Sequence, residues 1–282
     1  MSALVAVVTD STAYLPAELA AAHDVRVVPL QVVIGGTPHD EGAEVSPAEV
    51  AEALRTWLPV TTSRPAPSVL LAAYEEAAAA GATAVVSVHL SGDMSGTVDS
   101  ARLAAAESPV PVTVVDSRSM GMGMGYPVVS GAEVAAGGGS ADQVVAAVEK
   151  RAAEVTALLY VDTLEYLRRG GRVGKAAALL GSALSIKPLL RLVDGHIEPL
   201  ERIRTSTKAL ARLEELAVGA AGDRPVDITV HHLAAADRAQ QLMQRLRDRV
   251  PAVADLRCVE VGAVVGAHVG PGMLAVVVAP QG

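Results

Sequence analysis

The chain has no phenylalanine, one tryptophan and one cysteine, and aromatic residues make up only 2% of its 282 residues. So few aromatic side chains leave little material for the stacking platforms that bind single-stranded nucleic acids. A formal net charge of −8 also argues against a general phosphate-backbone binder. The single cysteine, Cys258, excludes an internal disulfide framework and a multi-cysteine metal site.

Long uninterrupted apolar segments are also lacking. No apolar run reaches the roughly 18 residues of a transmembrane helix, so no membrane span is predicted. The N-terminus enters strand-like sequence directly, without the basic region and cleavage site of a signal peptide. Apolar residues still make up 51% of the chain, enough for a substantial core of Ala, Val, Leu and Ile. We therefore expect a soluble, cytoplasmic protein of one or two domains.

Several catalytic motifs do not occur. The chain has no G-x-S-x-G elbow, no G-x-G-x-x-G, no complete P-loop and no H-E-x-x-H. The adjacent histidines His231 and His232 would point to opposite faces of a strand and could not share a metal ion. Polar segments without recognisable catalytic machinery favour a binding protein with no metal site.

Alternating strand and helix patterns over residues 1–155 predict a doubly wound, mostly parallel sheet, and hence an α/β domain. Residues 156–282 predict a second, α+β domain with antiparallel strand pairs, including a hairpin at Asp194-Gly195. The pattern also predicts a single strand over 25–34, interrupted or at an edge because of Pro29.

Local signals are clearest where polar residues precede helices. Ser46 and Glu49 form a capping box with proline at the first helical position. Residues 61–65 are interpreted as a polar loop in which Thr62 and Ser63 either cap the next helix or bind a ligand. Asp10 and Asp116 are expected to order their loops.

Hydroxyl and carboxylate residues follow three predicted strands, those at 5–8, 84–90 and 112–115. The carboxyl ends of parallel strands are where open α/β sheets bind ligands. After the second strand, Ser95-Gly96-Thr97 opens a helical pattern, which favours an anion site at the helix N-terminus. Ser95 as a simple helix cap is the alternative.

Four segments of the chain form a distinctive set: Thr9-Asp10-Ser11-Thr12, Thr62-Ser63-Arg64-Pro65, Met94-Ser95-Gly96-Thr97 and Gly266-Ala267-His268-Val269-Gly270-Pro271-Gly272. Together they resemble the DegV family of bacterial fatty-acid-binding proteins, and residues 164–174 are also similar to the family. Met94 stands where leucine is usual, and Gly92-Asp93 where Ser-Gly is commoner. The resemblance spans nearly the whole chain and implies the DegV-like fold, with a ligand expected between the two domains.

The resemblance also implies a function without catalysis or cofactor: one long-chain fatty acid is buried and offered to a separate ATP-dependent kinase subunit, which forms an acyl phosphate. Residues matching Thr62 and Ser95 would bind the carboxylate, with His268 nearby in a tight turn. The complete set of predicted ligand-binding residues is Thr62, Ser63, Ser95, Gly96, Thr97 and His268. The alternatives are an acyl hydrolase using Ser95 and His268, a small-anion or nucleotide module, and a structural role for His268.

The segment from Tyr160 to Leu210 is basic in an otherwise acidic chain, with nine Lys/Arg against five Asp/Glu. Either the segment is a solvated face, or it docks an acidic kinase partner or compensates the charge of an acyl phosphate. The residues predicted to bind the partner are Arg172, Arg202 and Arg204.

Overall fold

The computed structural model describes residues 4–179 and 186–281, which divide into two compact units. The first unit combines the segment ending at Gln31 with Ser63–Ala153, and the second combines Val32–Thr62 with the segment from Glu154 onward. Residues 32–62, which the sequence division at 155 assigned to the first domain, therefore pack with the second unit. Residues 180–185 of the basic segment lie outside the described residues.

Strands and helices alternate along most of the described chain. The strands are β1 (Val5–Asp10), β2 (Val25–Val28), β3 (Gln31–Ile34), β4 (Thr37–Asp40), β5 (Val60–Ser63), β6 (Ala84–His89), β7 (Val112–Asp116), β8 (Thr156–Tyr160), β9 (Lys187–Val193), β10 (His196–Ile203), β11 (Val226–His232), β12 (Val253–Glu260) and β13 (Leu274–Pro280). The helices are α1 (Ala17–Ala22), α2 (Pro47–Arg55), α3 (Pro67–Ala79), α4 (Thr97–Ala105), α5 (Met122–Ala136), α6 (Ala141–Glu154), α7 (Glu165–Arg169), α8 (Ser206–Ala221), α9 (Ala236–Arg249) and α10 (Ala263–Val269). Two 3₁₀ segments cover Ser11–Ala13 and Gly174–Leu179.

The first unit contains a four-stranded parallel sheet in the order β2-β1-β6-β7. The central strand β1 is buried along its whole length, and β6 is buried except at its first residue, as expected for parallel strands covered on both faces. Helices α3 and α4 bury apolar side chains against this sheet. The core includes Val8, Leu70, Tyr74, Val85 and Ala101.

The second unit contains a six-stranded sheet in the order β10-β9-β8-β13-β11-β12, together with the three-stranded sheet β4-β3-β5. In the larger sheet every neighbouring pair is antiparallel except β11–β12. Asp194 and Gly195 both have positive φ, 47° and 83°, which is what a type I′ hairpin turn requires. Helices α8 and α9 pack on the sheet around Leu189, Leu213, Ile228, Leu242 and Val276.

The predicted fold class, a parallel α/β domain with an α+β domain, is confirmed. The predicted capping box is confirmed as well, because Glu49 N–H lies 3.3 Å from Ser46 Oγ and Ser46 N–H lies 2.8 Å from the Glu49 carboxylate. No helix in residues 4–179 and 186–281 is long and apolar enough to cross a membrane.

Two predictions about local structure are wrong. Residues 25–34 form two strands in different sheets and not one. The predicted interruption at Pro29 is confirmed, since the chain breaks there and the Leu30 N–H donates to Ser11 Oγ at 3.0 Å. The predicted loop 61–65 begins inside β5, where the β-branched pair Thr61-Thr62 alternates between exposed and half-buried positions. The next helix starts only at Pro67, with Ala66 as N-cap, so neither Thr62 nor Ser63 caps it.

Candidate functional site

The polar clusters at the carboxyl ends of β1, β6 and β7 lie side by side, since these strands are neighbours in the first sheet. Asp10 accepts the N–H of Leu90 at 3.1 Å, and Asp116 accepts the N–H groups of Gly92 at 3.2 Å and Arg118 at 2.8 Å. The prediction that both carboxylates order their loops is confirmed. They hold the start of the loop that leads to Ser95.

A buried hydrogen-bond network extends from Asp10 into the same sheet. The Asp10 carboxylate accepts from Nδ1 of His89 at 3.0 Å, and Nε2 of His89 lies 2.7 Å from Ser87 Oγ. The Tyr74 hydroxyl donates to Ser87 Oγ at 2.9 Å, and burial raises the pKa of Tyr74. These four residues are fully buried.

The Ser95 loop differs from a simple helix cap. Helix α4 begins at Thr97 with Gly96 as N-cap, and the Ser95 hydroxyl lies 2.9 Å from that of Thr97. The Arg64 guanidinium covers Gly96, where an added Cβ would come within 2.5 Å of Nη1. The helix thus begins within the predicted stretch Ser95-Gly96-Thr97, and the alternative that Ser95 caps the helix is wrong.

His268 lies on a helix, not in a tight turn as the sequence suggested. Helix α10 is anchored at its start by the buried Glu41, whose carboxylate accepts the Val264 N–H at 2.7 Å. His268 is in the last turn, and Gly270 ends the helix with φ 75°. The motif's second glycine permits close packing, because a side chain at Gly270 would collide with the Tyr166 ring. The turn signal belongs to Gly270–Gly272 and not to the histidine.

The side chains of Thr62 and His268 contact each other within the second unit. Thr62 Oγ1 lies 2.8 Å from Nε2 of His268, although the residues are 206 positions apart. Burial, with the nearby positive charge of Arg172, lowers the pKa of His268 to about 4. The imidazole is therefore neutral at physiological pH. In the described part of the chain, its buried Nδ1 has no hydrogen-bond partner.

A cavity of about 430 Å³ opens beside this pair, within the second unit. This volume lies in the range of about 300–1,000 Å³ that is usual for small-molecule sites. One part of its wall is apolar and the rest carries hydroxyl, imidazole and guanidinium groups. The lining residues are Leu54, Trp57, Leu58, Pro59, Val60, Thr61, Thr62, Tyr166, Arg169, Gly170, Arg172, Ala267 and His268. Such a wall suits an amphipathic ligand with an anionic end.

The other predicted site residues have separate contacts. Ser63 Oγ donates to the Arg64 carbonyl at 3.2 Å, and Ser63 follows Thr62 on β5, where successive side chains point to opposite faces. Ser95 and His268, the pair of the hydrolase alternative, each bond another hydroxyl, those of Thr97 and Thr62.

Part of the basic segment is paired locally. Arg168 and Arg169 both bond Glu165, and Lys175 bonds Glu198 at 2.6 Å. Arg202 is exposed on β10 and donates to the Ala178 carbonyl at 3.4 Å, and Arg204 is exposed just after that strand. Arg172 differs from both because it lines the cavity.

Sequence reasoning missed two features of this cavity. The first is Gly170, whose carbonyl accepts from Arg172 Nη1 at 2.6 Å. The Gly170-Gly171 pair inside a basic segment was a signal for a close backbone approach. The second is Trp57, whose ring centroid lies 4.3 Å from the Arg169 guanidinium carbon. Among the residues that the structure describes, no cluster of three His, Cys, Asp or Glu could hold a metal ion.

Comparisons with known proteins agree over nearly the whole chain. A family model described as "Uncharacterised protein, DegV family" matches residues 4–281. A DegV domain-containing protein of Streptomyces coelicolor is 57% identical over 281 residues, covering 100% of each chain.

Two solved structures are similar in both sequence and fold. A DegV family protein of Thermus thermophilus, described as binding fatty acid, has a TM-score of 0.93 at 35% identity, covering 98% of this chain and 99% of its own. DegV of Bacillus subtilis, described as a fatty acid binding protein, has a TM-score of 0.91 at 34% identity, covering 99% and 100%. The family resemblance predicted from the four sequence segments is confirmed, and the chain belongs to the DegV family.

Proposed function

We propose that this protein binds one long-chain fatty acid and does not itself transform it. The observation that supports this most is the neutral Thr62–His268 pair in the wall of a partly apolar cavity, in a chain whose similar structures are described as fatty acid binding. The carboxyl end of the acid would enter this cavity. The predicted roles of Ser63, Ser95, Gly96 and Thr97 in binding remain part of the proposal.

The energetics suit such a ligand. Burying about fifteen methylenes at ~0.8 kcal/mol each contributes roughly 12 kcal/mol before the costs of ordering the chain and the protein. A carboxylate requires a few convergent donors, and hydroxyl groups supply them with charge-assisted bonds. Arg172 adds positive charge to the cavity wall, whereas Arg169 is paired with Glu165.

The binding proposal is tested on purified full-length protein. We expect organic extraction to release host fatty acid, detected by mass spectrometry, because an apolar slot is costly to leave open to water. Delipidated protein should melt at a lower temperature and recover when palmitate is added, by mass action. Recovery of no lipid, together with no thermal shift on adding palmitate, would refute the proposal.

The carboxylate site is tested by comparing palmitate with 1-hexadecanol. Ser95→Ala should weaken palmitate binding by roughly 1.5–3 kcal/mol, the value of a hydrogen bond to a charged group, and hexadecanol binding by nearer ~1 kcal/mol. Thr62→Ala should weaken the binding of palmitate and of hexadecanol by similar amounts to Ser95→Ala. If both hydroxyls contact one headgroup, the double variant is non-additive. An unchanged acid-to-alcohol affinity ratio in calorimetric titrations would remove Ser95 from the site.

We also propose that the loaded protein is the substrate-presenting partner of an ATP-dependent fatty acid kinase, with the basic segment as docking surface. Arg172 lines the cavity, so only Arg202 and Arg204 test docking separately from ligand binding. Reversing both to glutamate should leave palmitate affinity intact and lower the kinase rate at low ionic strength. Arg247→Glu, which reverses an exposed charge on α9, is the matched control. Equal rates for all three proteins would contradict the docking role.

A further inference from the structure

Gly170 contacts two groups of the cavity at once. Nδ1 of His268 packs so closely on its Cα that any Cβ there would collide with the imidazole. Its carbonyl accepts from Arg172 Nη1 at 2.6 Å. Gly170, Arg172, His268 and Thr62 all line the cavity. One backbone position therefore contacts both the imidazole of His268 and the guanidinium of Arg172.

The tautomer of His268 follows from the contacts of its two nitrogens. Nε2 lies 2.8 Å from Thr62 Oγ1, whereas the buried Nδ1 has no partner among the described residues. A proton on Nδ1 would leave a buried N–H without an acceptor, which native structures rarely tolerate. A proton on Nε2 is bonded to the Thr62 oxygen, and the bare Nδ1 lone pair then faces the small Gly170 Cα. The positive charge of Arg172 also favours a lone pair over a further proton at this ring.

We propose that Gly170 is a positioning residue that holds His268 in the Nε2–H tautomer, and that this makes the Thr62 hydroxyl a donor toward the cavity, where Arg172 supplies the matching positive charge. The inference rests on the proposed fatty acid function and adds a basis for specificity to it.

The arrangement selects the ionised headgroup. Thr62 Oγ1 accepts from His268, so its own proton is directed away from the imidazole and is available to an acceptor. An ionised carboxylate only accepts hydrogen bonds and carries the charge that Arg172 complements. A fatty alcohol has no charge and makes only a neutral bond, so it should gain far less from the same site.

Nitrogen NMR on the ligand-free, wild-type protein tests the tautomer directly. We expect the His268 ring at neutral pH to show a protonated, pyrrole-type Nε2 and an unprotonated, pyridine-type Nδ1. His268→Gln assigns the resonances. A protonated Nδ1, or an imidazolium with both nitrogens protonated, would overturn the inference. The tautomer itself is read from the wild-type protein.

Gly170→Ala tests the positioning role in binding. The added methyl group should displace the imidazole and release the Thr62 hydroxyl, lowering palmitate affinity on the order of 10- to 100-fold, with a smaller loss for 1-hexadecanol. Gly219→Ala is the matched control, because Gly219 lies on α8 with open space where the methyl group would go. The Gly170 variant should also lose the wild-type nitrogen pattern.

Arg172→Gln, compared with Arg168→Gln, tests the charge. Arg168 pairs with Glu165 and does not line the cavity. We expect only the Arg172 variant to lose its preference for palmitate over hexadecanol. If wild type binds palmitate and both Gly170→Ala and Arg172→Gln keep its acid-to-alcohol ratio, this inference fails while the proposed function stands. If wild type binds no palmitate, the proposed function itself fails.

Discussion

Two buried histidines, His89 in the first unit and His268 in the second, show how differently the same side chain can be used. Both nitrogens of His89 have partners, Asp10 and Ser87, and the ring is fully buried. His268 has one partnered nitrogen and one without a partner in the described chain, and it lines a cavity.

The difference separates a structural network from a candidate binding site. A fully satisfied buried network rigidifies its surroundings, and the His89 network joins the ends of β1 and β6. A buried polar group left partly unsatisfied costs free energy and requires an explanation. At His268 we explain the unpartnered Nδ1 by its close packing against Gly170 and by the hydrogen bond through which Nε2 orients the Thr62 hydroxyl.

The largest loss of stability should come from removing the Asp10 carboxylate, which lies at the centre of the His89 network. Asp10→Ala leaves His89 and the N–H groups of Thr12 and Leu90 without their acceptor. We expect a loss of about 3–5 kcal/mol in the free energy of unfolding, measured by urea denaturation. Asp116→Ala, which removes a less buried loop acceptor, should lose less. Equal losses would mean that the buried network contributes no more to the free energy of unfolding than the Asp116 loop does.

The second effect is a pH dependence that belongs to His268. Its pKa is about 4 in the folded state and near 6.5 when unfolded, so the unfolded state takes up the proton first as the pH falls. Stability from this residue is thus complete above pH 6.5 and falls by up to about 3 kcal/mol as the pH drops to 4.

His268→Gln checks this prediction, because glutamine does not titrate. The difference in unfolding free energy between wild type and variant should shrink toward pH 4. His231, whose pKa burial also lowers to about 4, is present in both proteins and cancels. Parallel pH profiles for the two proteins would show that His268 is protonated normally in the fold.

A matched pair of hydroxyl deletions should separate the two regions by function. Thr62→Ala should lower palmitate affinity by roughly 1.5–3 kcal/mol, while Ser87→Ala should lower stability by about 1–3 kcal/mol by leaving buried partners unsatisfied. Palmitate titration and thermal unfolding of both variants provide the measurements. The comparison fails if Ser87→Ala weakens binding as much as Thr62→Ala does.

The smallest effect should come from the far end of the His89 network. Tyr74→Phe removes one neutral donor, and Ser87 keeps its bond to His89. We expect a loss of about 0.5–1.5 kcal/mol in stability and no change in palmitate affinity. A change in affinity would show that the network reaches the ligand.

Much of the architecture was predictable because its signals are local. Capping at Ser46, the turn at Asp194-Gly195 and the strands around Val8 and Val86 depend on residues that are near neighbours in sequence. Motif resemblance also identified Thr62 and His268 as residues of interest before any contact was known. Their direct hydrogen bond could not be read from sequence, because backbone propensity carries no information about partners 206 positions apart.

The sequence by itself determined the fold class, the family and local features such as the Ser46 cap and the Asp194-Gly195 turn, since periodicity, capping and turn chemistry act within a few residues. Only the tertiary structure decided that residues 25–34 divide between two sheets and that Val32–Thr62 packs with the second unit. It also decided that Gly170 contacts both His268 and Arg172. A glycine's role depends on which side chain fills the space that it leaves, and that neighbour is set by packing between distant segments.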